Sequence, residues 1–189
     1  MELTNEFCTV IINVDQTYTL YSSDNKHYDY VLNPNNFSGN EEYKTFSICV
    51  DLFTREYTIA LVGDYNSFDY DCAFLDGYIL TVMQNNTISQ IDVRNANLLL
   101  FKKYECFGCA FAIFRIQNGY IVYGEIEIIR LNENFEKLWS FSGRDIFVSI
   151  SNKKPFELCE DRIKLYDFED NYYELNFDGK LIVDTPIKK

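Results

Sequence analysis

A chain of 189 residues with 47 % apolar and 17 % aromatic content has ample material for one core, which excludes disorder and leaves two full domains cramped. Its net charge of −12, from 17 basic and 29 acidic side chains, repels phosphate backbones and anionic lipid, so neither nucleic acid nor membrane is an expected partner. A protein partner, basic in character, suits the charge, and a homo-oligomer stays open.

From the N-terminus, Met1-Glu2-Leu3-Thr4-Asn5-Glu6 is acidic and lacks the order of a secretory signal. No apolar run approaches the ~20 residues of a membrane span. Residues 7–14 read as a strand, and the alternation of Thr17-Tyr18-Thr19-Leu20-Tyr21 predicts another. A polar turn follows, holding the only histidine, His27, which is expected on the surface. Residues 33–43 form the longest polar segment, read either as a mobile connection or as a binding loop, with the connection preferred.

Beyond it the sequence repeats. Phe74-Leu75-Asp76-Gly77-Tyr78-Ile79-Leu80 recurs 42 residues later as Ile116-Gln117-Asn118-Gly119-Tyr120-Ile121-Val122, and more weakly as Leu158-Cys159-Glu160-Asp161-Arg162-Ile163-Lys164. A second landmark, an aliphatic residue followed by Asp or Asn, falls at Val50-Asp51, Ile91-Asp92, Leu131-Asn132 and Leu175-Asn176, at steps of 41, 40 and 44. Each unit reads as a strand, a tight turn at Asp76-Gly77 or Asn118-Gly119, a second strand, a third ending at the Asp/Asn landmark, and a fourth. Alternation in Glu125-Ile126-Glu127-Ile128 and in Arg162-Ile163-Lys164-Leu165-Tyr166 predicts half-buried strands. The equivalence of Gly77 with Gly119 predicts matching hairpin turns, and that of Ile79, Ile121 and Ile163 predicts matching inward positions.

The order of strand, Asp-Gly turn, strand, aliphatic-Asp, turn and aromatic-ended strand resembles the blades of quinoprotein-like (PQQ-like) β-propellers. Residues 131–141, Leu131-Asn132-Glu133-Asn134-Phe135-Glu136-Lys137-Leu138-Trp139-Ser140-Phe141, carry it most fully. The resemblance implies an all-β fold of repeated four-stranded antiparallel units of about 42 residues, arranged as a small four- to five-bladed propeller in a single domain spanning 1–189. A β-sandwich of repeated meanders is the alternative. In the five-unit version, the N-terminal strands form a unit of their own with Val14-Asp15 as its landmark. No cofactor is expected, because Trp139 is the only tryptophan and the family's Thr-Gly turn is missing.

Catalytic chemistry finds little support. One histidine excludes multi-histidine metal sites. Cys106 and Cys109 have metal or redox spacing but no second cysteine pair, so they read as weak metal candidates beside an expectation of no metal. All six cysteines are expected to be reduced thiols of a cytoplasmic protein. Asp69 with Asp71, and Glu125 with Glu127, are two apart, a spacing that solvated strand faces give freely. Tyrosines beside acids are the candidate binding surface: Tyr65, Asp69, Tyr70 and Asp71, then Tyr172 and Tyr173. The function expected is a non-catalytic module binding a macromolecule through acidic, tyrosine-rich loops, one version being an antidote to a basic toxin. The alternative is a carbohydrate-binding or carbohydrate-active protein.

Overall fold

The computed structural model describes residues 1–39, 43–64 and 71–186, and strand-forming residues between turn formers make every regular element among them a strand. They fall into two compact units, Met1–Lys103 and Tyr104–Lys189. Among the described residues no helix is long and apolar enough to cross a membrane.

The first unit holds two sheets. One joins β1 (Glu2–Thr4), β2 (Thr9–Asp15), β3 (Tyr30–Leu32), β4 (Lys44–Asp51) and β5 (Glu56–Gly63) in the order β1-β2-β4-β5-β3, antiparallel except for β3, which runs parallel to β5. The other is a meander of β6 (Ala73–Asp76), β7 (Ile79–Gln84), β8 (Thr87–Asp92) and β9 (Asn97–Lys103). Val10, Ile12, Phe46, Ile48, Leu80 and Val82 share one core between these sheets. The second unit has two further meanders. They are β10 (Ala110–Ile116), β11 (Gly119–Gly124), β12 (Glu127–Leu131) and β13 (Lys137–Ser142), then β14 (Phe156–Leu158), β15 (Arg162–Tyr166), β16 (Tyr172–Asn176) and β17 (Leu181–Thr185). Ile121, Tyr123, Ile128, Ile163, Leu165 and Tyr173 form their shared core. The described elements are therefore all strands, in four blade-like sheets of four or five strands, two in each unit.

The aliphatic-Asp/Asn landmark has one structural meaning throughout. Val50, Ile91, Leu131 and Leu175 are fully buried at the end of the third meander strand. The next side chain folds back to cap the following turn: Asp51 Oδ1 accepts from Phe53 N (2.6 Å) and Asp92 Oδ1 from Arg94 N (2.9 Å). Asn132 Oδ1 accepts from the N–H groups of Asn134 and Glu136, and Asn176 Oδ1 from those of Asp178 and Lys180. Only a short side chain ending in an oxygen acceptor closes such a turn, which is why Asp or Asn recurs there.

Sheet edges are guarded in two ways. Immediately before the landmark in three sheets, the register slips by one residue on the fourth strand, at Gln90/Ile91, Arg130/Leu131 and Glu174/Leu175. The extra residues, Leu99, Leu138 and Ile182, are more than half exposed, and these bulges break the flat template that another strand would pair with. In the first sheet β4 and β5 pair without a slip, and β3 covers the outer edge instead.

Several expectations need correction. Residues 17–21 are not a strand, because Asp15 Oδ1 takes the N–H groups of Thr17 and Tyr18 and turns the chain out of the sheet. The N-terminal strands are the first two of the first sheet rather than a fifth unit, and Val14-Asp15 ends a second strand, not a third. Glu125 and Ile126 lie in a bend, so Glu125 and Glu127 do not form a strand pair. The 42-residue glycine landmark drifts. Asp76 pairs with Ile79, leaving Gly77 and Tyr78 as the turn, whereas Ile116 pairs with Gly119, leaving Gln117 and Asn118. The strand-two residues facing the buried landmarks are therefore Leu80, Tyr120 and Ile163, and Ile79 is only half-buried.

Gly119 has a further reason to be glycine. Its φ is +134°, and a Cβ there would overlap the Leu131 carbonyl oxygen and lie 2.5 Å from Arg130 Nη1. Arg130 is buried and donates to the carbonyls of Gln117, Asn118, Tyr120 and Leu131, stapling the first hairpin of its sheet.

Candidate functional site: the open face of the last sheet

Central strands of the third sheet are buried throughout, on both faces of β11 and β12. In the last sheet β15 and β16 alternate strictly between buried and half-exposed residues, so one face is packed and the other open. The packed face carries Ile163, Leu165, Tyr173 and Leu175. Register places Arg162, Lys164 and Tyr166 of β15, Tyr172 and Glu174 of β16, and Val183 of β17 on the open one.

Side chains of the open face hold one another in place. Tyr166 and Tyr172 are cross-strand partners with ring centroids 4.8 Å apart. The Lys153 ammonium sits 4.7 Å over the Tyr166 ring and 3.5 Å from Asp170 Oδ2. The Tyr172 hydroxyl donates to Glu174 Oε1, whose other oxygen accepts from Arg162 Nη1 at 2.9 Å. Arg162 also donates from Nε and Nη2 to both oxygens of Asp161, each at 2.9 Å. The bonds from Tyr172 and Arg162 hold the Glu174 carboxyl below its usual range, while burial and then the Glu174 bond push the Tyr172 hydroxyl well up. A phenol held protonated beside an occupied carboxylate is neither nucleophile nor base. The arrangement can present rings and fixed charges, which is the chemistry of recognition.

Of the candidates read from sequence, Tyr172 lies in this face. Tyr173 does not: it is 2 % exposed on the opposite face, because successive strand residues point to opposite sides. Its Oη donates to buried Asp167 (2.7 Å) and accepts from Arg144 N (2.9 Å), while Arg144 forks onto both oxygens of Asp184 at 2.6 and 2.7 Å. Tyr65, Asp69 and Tyr70 lie outside the described residues, and Asp71 is exposed just before β6, in the other unit. Tyr166, Glu174 and Arg162 were not singled out from sequence, although the alternation of residues 162–166 carried the signal.

Cys106 and Cys109 flank a loop clamped from beneath. Glu127, 1 % exposed, accepts from Phe107 N (2.6 Å) and pairs with Lys137 Nζ (3.1 Å). Burial, then the Glu127 charge, push the Cys106 thiol up to about 11. Among the described residues no three His, Cys, Asp or Glu side chains cluster as a metal site would. The clamp presents Phe107, 70 % exposed, at the loop tip. His27 is exposed in its turn.

No family model and no curated protein matches the chain. Among solved structures it is similar to BamB from Moraxella catarrhalis, at 13 % identity over 59 % of this chain and 35 % of that one, with a TM-score of 0.43. It is also similar to the computationally designed Ika8 protein, at 11 % identity over 77 % and 46 %, with a TM-score of 0.51. The Kuenenia stuttgartiensis hydrazine synthase is similar at 13 % identity over 90 % and 52 %, with a TM-score of 0.47. BamB and the synthase are β-propeller proteins, and the chain spans between about a third and about half of the length of these structures. Likeness at this identity concerns the fold alone.

Proposed function

We propose that the chain is a non-catalytic binding module whose last sheet offers its open face to a protein partner. One observation carries the reading: β15 and β16 are buried on a single face, and the half-exposed side chains of the other are already fixed by a tilted ring contact, hydrogen bonds and ion pairs. Groups fixed before binding lose little entropy on contact, which favours recognition. Charges on the face itself are close to balanced and would set register, while the net −12 of the whole chain would steer a basic partner towards it. An antidote to a basic toxin is one form of such a partnership.

Capture experiments at low and high salt test this with the wild-type chain and a Tyr166→Ala/Tyr172→Ala variant. A salt-sensitive partner retained by the wild type and lost by the variant supports the reading. Absence of any such partner, or equal capture by both chains, sinks it. The half-exposed tyrosine pair also favours a second reading, carbohydrate binding, because ring faces stack on sugars. A glycan array that remains silent removes that one.

A further inference from the structure

The first sheet of the N-terminal unit has a polar face that its packing does not explain. Register sets Asn13 opposite Ser47 and Asp15 opposite Thr45, on the side turned away from the core residues Ile12, Phe46 and Ile48. The chain between β2 and β4 crosses this side. Tyr28 is buried there, its ring edge-on to Tyr18 at 5.6 Å, and its hydroxyl donates to Asp15 Oδ2 at 2.7 Å. A pocket of about 450 Å³ remains, walled by Asn13, Asp15, Gln16, Lys26, Tyr28 and Ser47. That volume falls within the range of about 300–1,000 Å³ typical of small-molecule sites.

Two polar pairs line the pocket. Lys26 Nζ donates to Ser47 Oγ at 3.3 Å, and the Tyr28 hydroxyl donates to Asp15 Oδ2. Asp15 is fully engaged, since its Oδ1 also takes Thr17 N, Thr17 Oγ1 and Tyr18 N at 3.0, 2.8 and 3.0 Å. Lys26 is not. Its ammonium has three donors, Ser47 takes one, and no carboxylate among the described residues lies within ion-pair distance. Thr45, fully buried on the same face, has a hydroxyl with no partner, and a buried polar group left unsatisfied calls for an explanation.

We propose that this pocket binds a small hydroxylated monocarboxylate of the sugar-acid class, its carboxylate on the Lys26 ammonium and its hydroxyls on Asn13, Gln16 and Ser47. A cation that bonds Ser47 and lies 5.2 Å from the Tyr28 ring centroid but has no carboxylate partner, beside one fixed anion, accommodates a single negative charge and disfavours a phosphate dianion. The amides of Asn13 and Gln16 both donate and accept, as hydroxyls require.

The test uses the full chain with D-glucuronate, glucose and inorganic phosphate as probes, read by saturation-transfer NMR and calorimetry. Glucuronate binds, glucose binds at least about ten-fold more weakly, and phosphate more weakly still. Lys26→Gln weakens glucuronate roughly ten-fold or more with an unchanged melting temperature, since Lys26 is exposed. Absence of glucuronate binding at millimolar probe, parity of glucose or phosphate with glucuronate, or wild-type affinity in Lys26→Gln each overturns the proposal. The tyrosine face lies in the other unit, so either reading fails without the other.

Discussion

Gly77 and Gly119 are equivalent in the sequence repeat, yet replacing each by alanine should have very different costs. At Gly77 nothing lies within 4 Å of the added Cβ, so only the backbone strain at φ +56° is felt, about 1 kcal/mol. At Gly119 the φ of +134° lies beyond the left-handed region that alanine can enter, so its strain is at least as large, and the Cβ overlaps the Leu131 carbonyl oxygen and crowds Arg130 Nη1. Relief requires moving a buried guanidinium off carbonyls that it holds at 2.6–3.3 Å. Each hydrogen bond to a charged group contributes about 1.5–3 kcal/mol, so losing even one brings the total to roughly 3 kcal/mol or more. For a chain of this size that corresponds to a fall in melting temperature of about 6 °C or more, against about 2–4 °C for Gly77→Ala. Urea unfolding followed by circular dichroism for both, and by Trp139 fluorescence for the unit that holds Gly119, measures the difference. Equal costs for the two variants would refute the assignment of Gly119 to the Arg130 staple.

Ile121→Ala and Ile163→Ala, both fully buried, should each cost about 2–5 kcal/mol in urea midpoints, while half-buried Ile79→Ala should cost distinctly less. Asn176→Ala removes the acceptor for two turn N–H groups and should cost roughly 1–2 kcal/mol by the same measurement. Burial would raise the Asp167 carboxyl, but bonds from Asn171 and Tyr173 outweigh it and leave it below the usual range. Its stabilisation is thus present above about pH 3.9 and lost as pH falls through the lower folded value, so melting temperature should drop in strong acid, less steeply in Asp167→Asn. Alkylation of Cys106 followed by mass spectrometry should stay slow until pH approaches about 11, and Glu127→Gln should shift that rise to lower pH.

Much of the fold was legible because strands and turns have local causes. Tight turns need glycine or a capping Asx side chain, so both repeat markers show in the letters. Alternation announced that residues 162–166 have one buried face, but not whether the other would be covered, since that depends on which sheet packs against it. Tyr172 and Tyr173 look alike in sequence and part only once the strand sets their sides. The glycine marker slid because a hairpin can shift its turn by a residue or two while the buried landmark keeps its partner. The Lys26–Ser47 and Tyr28–Asp15 pairs left no sequence signal, for their members come from three separate stretches. By itself the sequence determined the strand class, the period and the capped turns, because each rests on residues within a few positions of one another. Only tertiary structure decided which faces are open and which polar groups meet, because those contacts join residues far apart along the chain.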